Sequence, residues 1–171
     1  MVKSGTLPTI DLAAGAAALE KDIPRVLDLL EAPSLEALGW SRPNKTVLLV
    51  PMQAGPPGAQ EHFLLRLGFQ AYRTCPPSAQ FVNPVTKAFA PPDDRIHVPK
   101  LTSDECRTHI NYQPQNIQLI CCSATLEFYN VLHSVEAKHL WRETDTFLTT
   151  ITAIQRAMAS TYSGRFNVDG N

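Results

Sequence analysis

Fourteen prolines punctuate this 171-residue chain, most of them between Pro43 and Pro114. A proline has no backbone N–H and a fixed φ, so it interrupts helices and is confined in sheets to edges and strand ends. The middle of the chain therefore has room only for short extended runs. Four are legible. The first is 46–50, Thr-Val-Leu-Leu-Val, which Pro51 ends. The second is 61–72, where His62, Leu64 and Arg66 alternate against Phe63, Leu65 and Leu67 as in a half-buried strand. The third is 79–82, set between Pro76-Pro77 and Asn83-Pro84, and the fourth is 117–122. Short connections between the first three predict a meander, and the fold class expected is α+β with a four-stranded antiparallel meander sheet.

Helices are expected on either side of this region. Residues 1–10 read as a flexible arm, with Thr9 and Asp11 suited to accept backbone hydrogen bonds at a helix start. After an alanine-rich turn or two, Asp22 caps and Pro24 fits the first turn of a helix over 23–31, with Ile23, Val26, Leu27 and Leu30 on one face. Towards the other end, Phe147, Ile151, Ile154 and Met158 recur at helical spacing, so a long C-terminal helix is predicted, capped by Thr144 or Asp145 and ending near Ser160. Residues 88–114, with Pro91-Pro92-Asp93-Asp94 and Pro99, read as a long surface loop, and 165–171 as a flexible tail. No internal repeat is present, and 1–171 is expected to be a single domain.

Charge narrows the function. Fifteen basic against sixteen acidic residues leave a net charge of -1, which supplies no basic field for nucleic acid or an anionic membrane. With 44% hydrophobic and 18% charged residues the chain has the composition of a folded domain. The apolar stretch 13–19 is too short for a membrane span and runs into Glu20, Lys21 and Asp22. Cys75, Cys106, Cys121 and Cys122 then read as reduced thiols of a cytoplasmic protein. No phosphate-binding glycine loop, dinucleotide fingerprint or serine elbow occurs.

The chemistry falls on the Cys121-Cys122 pair. Successive side chains of an extended strand point to opposite faces, so one of these thiols is buried and the other presented outward; the pattern alone leaves open which, or whether both are packed in the core. Cys106 and His109 have a ligand-like spacing and could join either thiol around zinc, although the usual pairs of closely spaced ligands are incomplete. Cys75 and Trp141 read as core. His133 and His139 are of the type that orients a substrate or acts as a base, and Glu143 and Asp145 could align an amine or cap a helix.

Three passages carry a family resemblance: Pro76-Pro77 with the strand after it, His109-Ile110-Asn111 leading to Leu119-Ile120-Cys121, and Trp141 followed by a long amphipathic helix. In this order the chain resembles ubiquitin-conjugating enzymes, specifically the divergent bacterial proteins of antiphage (antiviral defence) operons. The resemblance implies a UBC-like fold and a transferase that takes a ubiquitin-like protein from an activating enzyme as a cysteine thioester and passes it to an amine of a protein target. It implies Cys121 as nucleophile, with Cys122 as the alternative, and His109 and Asn111 shaping the site; Asn111 would stabilise the anionic intermediate. A non-catalytic binding module of the same fold is the other reading. No cofactor or metal is called for. Five features depart from the family: isoleucine replaces proline in the tripeptide, Asn111 stands ten positions before Cys121, a longer separation than is usual, the loop 87–108 looks inserted, the link 123–140 from cysteine to tryptophan is long, and the first helix lacks a strongly basic face.

Overall fold

Asp11 opens the first helix by accepting a hydrogen bond from the Ala14 amide. The computed structural model describes residues 9–131 and 140–169, and its first element, α1, is Leu12–Leu29. It starts well before the expected 23–31 and runs through Pro24. The reason lies in its buried face, Gly15, Leu19, Asp22 and Val26, which spans both sides of the proline. Pro24 and Glu20, whose carbonyl loses its helical partner, are both exposed, so the interruption falls on the outer side of the helix. Gly15 is a contact requirement: a Cβ there would meet the Phe69 carbonyl oxygen at 1.7 Å.

The sheet is an antiparallel meander of β1 (Ser41–Asn44), β2 (Val47–Ala54), β3 (Glu61–Gly68) and β4 (Ser78–Val82), in that spatial order. Four strands were expected, but membership differs. The edge strand β1 covers Arg42-Pro43-Asn44, outside the four expected runs, and its edge position is what tolerates Pro43. β2 likewise continues past Pro51, which pairs with Leu64. β1 reaches along β2 only to Leu49, so one side of Pro51 has no strand whose ladder a missing N–H would break. β3 buries both faces rather than one. Leu65 and Leu67 face the main core, whereas Leu64 joins Val47, Leu49 and Val82 beneath Phe89.

The expected loop over 88–114 is partly regular. It holds a 3-10 turn at Asp93–His97, strand β5 (Pro99–Leu101) and strand β6 (Arg107–Tyr112). The fourth expected strand, found as β7 (Ile117–Cys121), pairs with β6 in a separate hairpin, with His109 opposite Leu119. It touches the meander through a side chain: Gln118 accepts from the Phe81 amide at 2.7 Å and donates to the Phe81 carbonyl at 2.9 Å, completing the β4 edge as another strand would.

A short helix, α2 (Leu126–Asn130), follows the cysteines, and α3 (Phe147–Thr161) is the long C-terminal helix. Its expected apolar face, Phe147, Ile151, Ile154 and Met158, is buried. Neither expected cap acts on it: Asp145 accepts from the Arg142 amide instead, and the first helical amide, of Phe147, donates to the Tyr72 hydroxyl. The expected tail begins inside a strand, β8 (Tyr162–Arg165), which pairs with β5. Arg165 binds the Glu61 carboxylate and lies 4.1 Å over the Phe63 ring, which holds that end of the chain to the sheet. One cluster unites Leu19 of α1, Leu48, Leu65 and Phe81 of the sheet and Phe147, Ile154 and Met158 of α3. No helix among the described residues is long and apolar enough to cross a membrane.

Candidate functional site

Cys121 ends β7, and the chain turns immediately after it. Thr125 makes that turn: its hydroxyl donates to the Ile120 and Cys122 carbonyls and its amide donates to Cys122 again. Thr150 of α3 donates to the Ala124 carbonyl, and Tyr129 of α2 donates to the Ser123 carbonyl while accepting from the Trp141 amide. Trp141, expected as core, is buried with its indole N–H on the Arg73 carbonyl. The two residues after Cys122 are thus fixed by α2, α3 and the approach to α3.

Strand alternation separates the pair as expected. Cys121 is partly exposed and Cys122 buried. Facing Cys121 across the hairpin is Arg107, a residue that motif reading passed over because its role depends on register. The two influences on the Cys121 thiol are unequal. Partial burial and the neighbouring Cys122 push its pKa up, and the Arg107 charge pulls it back only in part. Cys121 is therefore a thiol at neutral pH, and it acts as a nucleophile when an approaching reactant or a base removes its proton.

Cys122 behaves differently. Its sulfur accepts a hydrogen bond from the Cys106 thiol, which draws it below the ordinary thiol range against the cost of burial. Cys106 is correspondingly held protonated, through that bond and burial together. Cys106 had a place in the expected zinc reading, and it does meet Cys122. Among the described residues, however, no group of three or more His, Cys, Asp or Glu side chains is arranged to hold a metal ion. Cys75 is buried against Ala71 and Leu126, and burial raises its thiol.

His109 faces Leu119 in the ladder, two residues along β6 from Arg107, and its ring packs against Tyr112. Asn111 is a further two residues on, about 13 Å along the strand from the position opposite Cys121 at the usual rise. Its side-chain oxygen accepts from Gln113. An oxyanion donor needs to lie about 3 Å from the charge it stabilises, and Asn111 is at the other end of the hairpin. Glu143 is exposed, and Asp145 accepts from Arg73 through its carbonyl. His133 and His139 lie outside the described residues.

Two concavities accompany these groups. A groove of about 540 Å³ lies between α1 and β1, lined by Glu20, Arg42 and Lys45, and shares no residue with the cysteine site. A smaller cavity of about 100 Å³ has Cys106 in its wall, together with Glu105 and Arg156 of α3. No protein-family model, curated protein or solved structure matches this chain.

Proposed function

We propose that the protein carries a ubiquitin-like protein as a thioester on Cys121, accepting it from an activating enzyme and passing it to an amine of a protein target. The observation that supports this reading is the placement of Cys121. It is the one partly exposed cysteine among the described residues, it sits at a strand end on a rigid turn, and it follows a UBC-like order of helix, antiparallel meander, cysteine and helix. Exchange between two thioesters is close to balanced in energy, so a thiol that ionises only as the donor arrives suffices. Arg107 is the group positioned to favour the thiolate at that moment. His109 lies opposite Leu119 and Asn111 farther along the strand, and the carrier step is assigned to Cys121 without them. The work belongs in the cytoplasm, where thiols stay reduced.

Incubation with a cognate activating enzyme, its ubiquitin-like protein and ATP is expected to give an adduct that reducing agent removes. Cys121→Ala is expected to abolish it, and an adduct that survives this substitution ends the assignment. A second reading, a binding module of the same fold, is favoured by two observations: the elevated Cys121 thiol and the distance of Asn111 from it. It predicts no adduct with any activating enzyme and normal partner capture by Cys121→Ala.

A further inference from the structure

The groove between α1 and β1 has two unlike walls. Arg42 and Asn44 stand two positions apart in β1, so alternation puts them on one side of the strand, and Lys45 follows in the turn. Ala16 and Glu20, four apart and so on one face of α1, supply the opposite wall together with Ala17. One wall therefore carries hydrogen-bond donors, and the other is a pair of methyl groups ending in a carboxylate.

The donors are unequally engaged. Arg42 binds the Glu20 carboxylate and donates through Nη2 to the Lys45 carbonyl at 3.1 Å, while its Nε is buried without a partner. Its guanidinium is thus fixed in place with one donor unmet. Asn44 accepts through Oδ1 from the Thr46 amide at 2.9 Å and the Thr46 hydroxyl at 3.2 Å. A backbone N–H needs an acceptor, so the oxygen is committed there and the Nδ2 donor is the end left for another group. Lys45 is exposed and forms no ion pair among the described residues. Glu20 offsets Arg42, and the excess positive charge of the groove therefore sits at the Asn44–Lys45 end. A surface ion pair accounts for Arg42 and Glu20; it does not account for an unpaired ammonium and a free amide across an open space from two alanines. That space, about 540 Å³, falls in the range of small-molecule sites, about 300–1,000 Å³, and is more than an inorganic anion fills.

We propose that this groove binds a small molecule with a phosphate group and a compact apolar body. The phosphate takes the Lys45 ammonium and the Asn44 Nδ2 donor, with the Arg42 guanidinium adding charge beside them. The body lies along Ala16 and Ala17, where longer side chains would close the groove. Glu20 repels an anion placed next to it, which directs the head to the turn end. Phosphate suits this wall better than a carboxylate does, because its greater negative charge and third oxygen match two cations and an amide donor. The groove shares no residue with the cysteine site, so the inference holds whether or not Cys121 carries an acyl group.

The test is a titration of the isotope-labelled full chain with phenyl phosphate in a phosphate-free buffer, followed by amide NMR shifts. Saturable shifts are expected at Ala16, Ala17, Asn44 and Lys45. Inorganic phosphate should act on the same residues about tenfold more weakly, since it has no apolar body to bury. Benzoate, with a single charge, should also bind more weakly than phenyl phosphate. Lys45→Gln is expected to weaken phenyl phosphate about tenfold, the loss of one charge-assisted bond. Ala17→Leu should bring phenyl phosphate down to the level of inorganic phosphate and leave inorganic phosphate unchanged. Both substituted positions are exposed, and Arg42, which clasps α1 to β1, is left intact, so both variants should unfold at the wild-type midpoint. Shifts that do not saturate, shifts centred elsewhere, or binding indifferent to Lys45→Gln would each overturn the site. Benzoate binding as tightly as phenyl phosphate would overturn the choice of phosphate, and phenyl phosphate indifferent to Ala17→Leu would overturn the placement of its body.

Discussion

At the level of single residues, two positions separate competing effects cleanly. Gly15 sits within α1, where alanine is ordinarily the better helix former by about 1 kcal/mol. The Phe69 carbonyl at 1.7 Å from an added Cβ reverses the sign, because neither backbone can yield without moving a helix off the sheet. Gly15→Ala is expected to destabilise the fold by about 3 kcal/mol, measured by denaturant unfolding. Cys121 is the second position. Its thiol ionises above the ordinary value of 9.0, since burial outweighs the Arg107 charge. Alkylation of Cys121 should therefore be slow at pH 7 and still be accelerating above pH 9. Arg107→Gln removes the one favourable charge and should move the rate profile to higher pH, as followed by mass spectrometry. A shift to lower pH would contradict the cross-strand influence. The alternation of Cys121 and Cys122 was legible in the sequence because it needs only the two-residue strand period. The influence of Arg107 was not, because it depends on which strand lies opposite.

Between elements, the β4 edge shows how polar side chains stand in for a missing strand. Gln118 serves the Phe81 amide and carbonyl, and Glu127 of α2 accepts from the Ser78 hydroxyl and the Ala79 amide. Gln118→Ala leaves two backbone groups in a dry site without partners, a loss of about 3 kcal/mol in chemical denaturation. Glu127 has its pKa raised above 4.5, chiefly by burial. A carboxyl shifted upward contributes stability that is complete below the unfolded value and is lost as pH rises through the folded value. Stability of the wild type should accordingly decline as pH rises from 4.5, and Glu127→Gln, which keeps an acceptor without the charge, should flatten the profile. Periodicity located α3 because Phe147, Ile151, Ile154 and Met158 face one core. It misplaced the start of α1 because local proline chemistry was weighed above a buried face that the sheet enforces. β5, β6 and β8 were missed because each is a short strand held by one partner, with no apolar alternation of its own.

Across the whole molecule, one apolar cluster links α1, the meander, the β6–β7 hairpin and α3. A network joins the same parts: Tyr72 donates to Asp22 of α1 and accepts from Phe147 of α3, while Arg73 pairs with Asp22 at 3.1 Å. That main cluster ties both long helices to the meander and the hairpin, so thermal unfolding followed by tryptophan fluorescence and by far-ultraviolet circular dichroism should give coincident transitions. Trp40 packs near Phe147 and Trp141 near Tyr72, so both fluorophores report on the main core. Arg165 grips Glu61 across 104 positions of sequence. While the polypeptide is being synthesised, Glu61 is in place long before its cation exists, and the nascent chain has to wait with that side of the sheet uncovered. That edge thus closes only once Arg165 has emerged from the translating machinery, a moment at which chaperone occupancy of it would matter most.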